Sequence, residues 1–251
     1  MIAFISDIHG NLPALEVVLE DIDSIGTVDR VICLGDIVGY GPHPVECFER
    51  VASRCSLMLM GNHEHAVIHG PYLFNPNARR AIEWTKEQLY NDPQNGRRRH
   101  LLELLEGLPV RYEIGDILLV HASPRDPVME YVLESDLWEG ANPSKMEEIF
   151  ASFRHLCFVG HTHRPGVFTE DWCFLSSSDV PEFDVSDGRY LINVGSVGQP
   201  RDRDPRACYT LFTGDALYFR RLEYDIERVA HDIRENDALG NRLAERLFRG
   251  E

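Results

Sequence analysis

No apolar run in this 251-residue chain approaches the roughly 20 residues that span a bilayer, so no membrane segment is expected. The opening stretch Met1-Ile2-Ala3-Phe4-Ile5-Ser6-Asp7 lacks a basic leader and is too short for a signal h-region, so it reads as a strand. The six cysteines (Cys33, Cys47, Cys55, Cys157, Cys173 and Cys208) form no CxxC pair and show no regular spacing. That argues against a disulfide framework and for reduced, mostly buried thiols in a cytoplasm. Basic charge is also scarce: 25 Lys and Arg stand against 41 Asp and Glu, a formal net charge of −16. Long polyanions bind largely through neutralisation of their phosphates by Lys and Arg, so a long nucleic acid is disfavoured as partner. A small phosphate compound drawn in by local metal charge stays compatible, since bound cations would cover some of the carboxylates. No internal repeat, low-complexity tract or linker interrupts the chain, and one domain over 1–251 is expected.

What is present is an alternation of strand and helix. Ile2–Ser6 is a short apolar strand, and Asn11-Leu12-Pro13 opens a helix with a capping side chain and an early proline. Leu15, Val18, Leu19 and Ile22 follow at helical spacing, and the helix stops near Gly26. Val31–Leu34 and Leu57–Met60 are the next strands, separated by a helix over about 44–53. Repeated β-α-β alternation argues for a largely parallel sheet with helices on its faces. From Asn75 to Gly107 the pattern is helical, broken by the cluster Asn91–Gly96, and the run Arg97-Arg98-Arg99-His100 reads as a solvated face. Beyond Pro109 short strands dominate. A hairpin turns at Gly115-Asp116, and strands are expected at 157–159, 166–169, 190–194, 208–212 and 217–222. These read as a second, more antiparallel sheet packed on the first. An amphipathic segment, Asp225–Arg249, closes the chain with a break expected at Gly240.

The chemistry sits just after the apolar runs. Asp7-x-His9 offers a hard oxygen and an imidazole on alternate positions, and Asp36 lies on a tight Gly35–Gly39 loop. Taken alone, the first is a weak signal and the second suits a helix cap equally well. Gly61-Asn62-His63-Glu64 is more specific: Asn62 contributes a neutral oxygen, His63 need not be a ligand, and Glu64 could orient that imidazole. His121 ends one later strand, and Gly160-His161-Thr162-His163 follows another. Strand ends of an α/β fold converge on one rim, so these groups can meet around one cavity. His43, His65, His69, His100, His155 and His231 occupy no such position.

The series D-x-H, GD-x-x-G, GNH-E, H and GH-x-H resembles the calcineurin-like metallophosphoesterase superfamily. The likeness runs from Asp7 to about Arg206. Gly39-Tyr40-Gly41-Pro42, His121-Ala122-Ser123-Pro124-Arg125 and Asn193-Val194-Gly195-Ser196-Val197-Gly198-Gln199-Pro200-Arg201 are similar to its small bacterial and archaeal branch. The resemblance implies an α/β four-layer sandwich, two mixed β-sheets flanked by helices, with metals at one edge. It further implies one ion held by Asp7, His9, Asp36 and His163 and another by Asp36, Asn62, His121 and His161. The branch commonly has glycine where Ala122 stands and proline where Val194 stands, which bears on loop shape and substrate fit.

The implied activity is dinuclear-metal hydrolysis of a phosphodiester or phosphomonoester bond in a small substrate. Ions roughly 3.5–4 Å apart acidify a shared water and grip the phosphoryl oxygens. Asp36 would bridge them, with His63 as catalytic group near the leaving oxygen and Glu64 as its partner. The N/O donor set suits Mn, Fe, Zn, Co or Ni better than calcium. Arg125, Arg201 and Arg203 lie near motif loops, and an arginine fork suits phosphate. Alternatives are a non-catalytic interaction module on the same fold, a nuclease, and a protein phosphatase. The intact ligand series argues against the first, and the acidic balance and short length against the second.

Overall fold

The computed structural model describes residues 1–72, 74–90, 96–138 and 143–251. Its elements run β1 (Ile2–Ile5), α1 (Leu12–Ile25), β2 (Arg30–Cys33), α2 (Pro44–Arg54), β3 (Leu57–Met58), α3 (Asn62–His69), α4 (Pro76–Tyr90) and α5 (Gly96–Glu106). They continue with β4 (Arg111–Ile114), β5 (Ile117–Val120), a 3-10 turn (Glu134–Leu137), α6 (Pro143–Ala151), β6 (Leu156–Val159), β7 (Gly166–Thr169) and β8 (Phe174–Ser176). The chain ends with β9 (Glu182–Asp184), β10 (Tyr190–Asn193), β11 (Ala207–Phe212), β12 (Ala216–Leu222), α7 (Ile226–Arg234) and α8 (Asn241–Arg249). The expected breaker 91–95 and the side chains of Arg97 and Arg98 lie outside the described residues.

Two mixed six-stranded sheets form, in the orders β3-β2-β1-β11-β12-β9 and β4-β5-β6-β10-β7-β8. Strand alternation builds the layers. In β1, Phe4 points between the sheets, while Ala3 and Ile5 point outward to a core shared with α1 and α2. In β6, Leu156 and Phe158 face inward, and Cys157 and Val159 face the helix α6 side. The Phe4 and Phe158 rings stack at 4.1 Å across the inner layer. The result is the expected four-layer α/β sandwich.

One expectation is corrected. β11 and β12 do not join the second sheet: β11 pairs antiparallel with β1, placing Ala3 opposite Leu211. The first sheet therefore joins two parallel pairings to three antiparallel ones, and the second also holds parallel pairs, β5–β6 and β6–β10. Helix α1 begins as expected, with the Asn11 side chain accepting from the Ala14 amide and Gly26 left-handed at the C-cap. The C-terminal segment breaks at Gly240 into α7 and α8, which pack together through Val229, Ile233, Leu243 and Leu247 and rest on Ala81 of α4. That places α8 beside the mouth of the site described next.

Candidate active site

The loops after β1, β2 and β6 are laced together by the main chain. The Asp7 amide donates to Gly35 O at 3.0 Å, that of His9 to Asp36 O at 2.9 Å, and that of Gly10 to Ile37 O at 2.9 Å. Both oxygens of Asp7 face the His161 amide, at 3.0 and 3.2 Å. These bonds hold a costly backbone: Asp7, His9, Asp36, His161 and His163 all have φ between 50° and 64°. Non-glycine residues there lose on the order of 1–3 kcal/mol each, and they persist where surrounding structure over-determines them. The strain falls on five of the seven residues singled out as ligand candidates.

All seven converge. His163 Nε2 lies 3.2 Å from Asp7 Oδ1 and 3.1 Å from His9 Nε2. His121 Nε2 lies 3.1 Å from Asn62 Oδ1 and 3.2 Å from His161 Nδ1. Asp36 stands between the groups, its Oδ2 being 3.7 Å from His9 Nε2 and 3.5 Å from His121 Nε2.

The outer ring nitrogens fix what the inner ones can be. His9 Nδ1 faces Val38 O at 3.3 Å, His121 Nδ1 faces Leu34 O at 3.0 Å, and His163 Nδ1 faces Gln199 O at 2.6 Å. His161 is turned the other way, with Nε2 facing Met129 O at 3.2 Å. A carbonyl only accepts, so each outer nitrogen carries the hydrogen; the inner nitrogens of His9, His161 and His163 present lone pairs, and that of His121 presents one once its proton is displaced. Lone pairs of His9 and His163 then confront each other, and Asn62, His161 and Asp36 converge as acceptors on His121. A cation among them relieves the repulsion, so the donor set fits metal ions. Among the described residues, three sets have all their donor atoms within 4.8 Å: Asp7, His9 and His163; His9, Asp36 and His63; and Asp36, His121 and His161.

The family model for calcineurin-like phosphoesterases matches residues 1–165. The chain belongs to that family. It is 38% identical over 260 residues to an uncharacterized protein of Methanocaldococcus jannaschii, covering 100% of this chain and 98% of that one. A metallophosphoesterase from Sphaerobacter thermophilus superposes with a TM-score of 0.83 at 42% identity, covering 100% and 98% of the two chains. A hypothetical protein of Pyrococcus horikoshii shares the fold at 20% identity, with a TM-score of 0.75 and coverage of 100% and 99%. The family generally binds two divalent metals, and the clusters above could hold them. All seven candidate ligands fall within the matched segment.

Electrostatics keeps three of the four histidine donors ready for ligation. Burial pulls His9 well below its ordinary value, His161 down to about 3 and His163 downward, the last with help from Arg201, so these rings are neutral. Burial would also depress His121, but the carboxylates of Asp36, Asp7 and Glu64, Asp36 foremost, together outweigh it and lift His121 to about 9. Asp36 answers in the opposite direction: burial would raise it, and His121, His63 and His9 together hold it well below the carboxylate range.

His63 projects into a cavity of about 300 Å³ shared with Asp36, Asn62, Phe74, Tyr131, His161 and Arg201. Its ring is boxed by Tyr40 at 4.4 Å, His9 at 4.6 Å and Phe74 at 5.2 Å, and its buried Nδ1 has no hydrogen-bond partner. Burial lowers it to about 4. Glu64 is not its orienting partner. The Glu64 carboxylate instead accepts the amides of Asp36 (2.8 Å), Ile37 (2.8 Å), Val38 (3.1 Å) and Gly61 (2.9 Å), bracing the Asp36 loop. Arg125 also departs from expectation: it turns away from the cavity to Glu148 at 3.2 Å and Glu130 at 3.5 Å. Arg203 is exposed and likewise absent from the lining, whereas Arg201 is on it. Tyr131, stacked on His161 at 3.8 Å, and Phe74 carried no motif that marks them in sequence.

Proposed function

We propose that the chain is a divalent-metal-dependent hydrolase of small phosphate esters. In this reading Asp7, His9, Asp36 and His163 hold one ion, and Asp36, Asn62, His121 and His161 the other. The observation that carries it is Asp36 Oδ2, 3.7 Å from His9 Nε2 and 3.5 Å from His121 Nε2, set between a histidine lone pair and a histidine nitrogen whose proton a cation would replace. When bound, such ions acidify water and neutralise the phosphoryl oxygens of an in-line displacement. Manganese is the first ion to test, with Fe, Zn, Co and Ni as the other members of the class that suits these donors.

The protein's own groups then orient the ester. His63, neutral and unpartnered at Nδ1, stands in the cavity where a leaving oxygen gains charge, and its proton or dipole stabilises that oxygen. Arg201 on the cavity wall offers a guanidinium to a non-bridging oxygen. Phe74, Tyr40 and Tyr131 narrow the recess, which favours a small ester over a long polymer. No described helix is long and apolar enough to cross a membrane. All six cysteines are unpaired, and on that ground we assign the protein to a reducing cytoplasm.

The test is hydrolysis of bis-p-nitrophenyl phosphate and p-nitrophenyl phosphate by purified protein, with Mn, Fe, Zn, Co or Ni in turn and then with chelator. Chelator-sensitive turnover of either ester is expected, and their ratio separates diesterase from monoesterase. Silence with all five metals would sink the reading.

A further inference from the structure

Next to the 300 Å³ recess opens a basin of about 800 Å³, and the two share Tyr40, Asn75, Tyr131 and Arg201 as a common wall. We propose that this basin seats a second phosphate of the substrate, which makes the substrate a bisphosphate or polyphosphate ester rather than a simple mono- or diester. The proposal rests on the phosphoesterase reading and deepens it.

The far wall is helix α8, and its sequence explains the charge. Arg242, Arg246 and Arg249 recur at i, i+4 and i+7, so they line one face, while Leu243, Ala244 and Leu247 bury the other against α7. With Arg201 opposite, four guanidiniums line one cavity of a chain whose net charge is −16. Two carboxylates lie in the same lining, Glu245 and Glu251, so the basin keeps a positive excess.

Folding alone does not account for the cluster. Arg246 and Arg249 in the last turn suit the helix dipole, but Arg242 sits in the first turn, where a cation opposes it. Arg242 and Arg246 are like charges four apart, a pairing that costs a helix a few tenths of a kcal/mol. Satisfaction by neighbours is partial. Arg246 Nε donates to the Glu251 main-chain oxygen at 2.6 Å, Arg249 meets the Glu251 carboxylate only at 3.8 Å, and the buried Arg201 Nε has no partner. Burial, then Arg201, pulls Arg246 down to about 10. The missing partner is an anion with several oxygens, which forked guanidiniums grip well. Since Arg201 borders both cavities, an ester bound at the histidines extends past it, and a second phosphate on that side meets α8.

The experiment is calorimetric titration of manganese-loaded protein, with free manganese held saturating, against AMP and the slowly hydrolysed β,γ-imido analogue of ATP. The wild type should bind the triphosphate at least tenfold more tightly than AMP. Arg242→Gln/Arg246→Gln should shrink that ratio to under threefold, and Arg242→Lys/Arg246→Lys should recover part of it because charge is kept. Thermal melting checks that each variant folds, and the exposed Arg242→Gln alone serves if the double variant does not. A triphosphate bound no better than AMP by the wild type, or a preference that survives the Gln substitutions, overturns the proposal. Hydrolysis of bis-p-nitrophenyl phosphate is scored separately. Turnover with a flat binding ratio removes the second-phosphate site alone, and absent turnover removes the phosphoesterase reading whatever the ratio.

Discussion

His63 and Gly39 are two halves of one device. Gly39 sits at φ +87°, and a Cβ there would overlap His63 Nδ1, so the absence of a side chain at 39 is what lets the ring stand in the cavity. In the proposed mechanism His63→Ala retains both ions while kcat falls about 10²–10⁴-fold, the usual span for a positioned proton donor. Gly39→Ala should mimic it, losing turnover with metal content intact because the ring is displaced. Elemental analysis beside steady-state rates checks both; loss of metal in either would reassign the residue to ligation. Adjacent residues in a sequence are poor guides to such partnerships. His63 and Glu64 open a helix, where neighbours i and i+1 point to different faces, so the carboxylate next in line reaches the Asp36 loop instead. The strand-end ligands were legible because each is a polar residue directly after an apolar run. Tyr131 and Phe74 were not, since an aromatic beside a site looks in sequence like any core aromatic.

At the scale of elements, α3 and the β2 loop form one unit through Glu64. Four amides converge on its carboxylate, and Asp36 Oδ1 in turn accepts the His63 amide at 2.8 Å. Glu64→Gln replaces one acceptor oxygen by a donor facing amides, so at least one N–H is left buried without a partner, a loss of about 1–3 kcal/mol. Outer groups of this kind change metal affinity by roughly 10–100-fold. Weaker manganese binding with a lowered melting temperature is the expected result in titrations of Glu64→Gln, and unchanged affinity would show that the Asp36 loop holds its shape unaided. Helix α3 itself escaped the sequence reading because Asn62–His69 is polar and short, and its first turn is built around the site rather than around a core face. The Asn11 cap, the Gly115-Asp116 hairpin and the Gly240 break were legible, being local signals.

Across the whole molecule, the sheet assignment of β11 and β12 was illegible for a physical reason. Short strands such as the fully buried β11 carry no mark of which sheet they enter, and the choice is made by pairing Ala3 with Leu211 across the length of the chain. The same long-range assembly buries a set of imidazoles whose titration governs stability. With metal removed, His63 is held at about 4 and His161 at about 3 by burial, against an ordinary value of 6.5. Between those values the unfolded chain takes up protons that the folded one refuses, so stability rises with pH up to about 6.5, by on the order of a few kcal/mol for His63 alone. His121 works in the opposite direction. Lifted to about 9 by the surrounding carboxylates, Asp36 foremost, it contributes fully below 6.5 and loses that contribution as pH climbs through 9. Chelated protein should therefore melt highest near pH 6.5 and lower on either side. Manganese should flatten the alkaline arm, because an ion among the deprotonated rings replaces the proton on His121 and adds binding energy to the folded state. His63→Asn should make the acid arm shallower by one proton. Melting curves from pH 4 to 9, with chelator and with manganese, read all of this directly. A chelated protein whose melting temperature is level across that range would mean that these imidazoles are not packed together around the Asp36 carboxylate in the folded state.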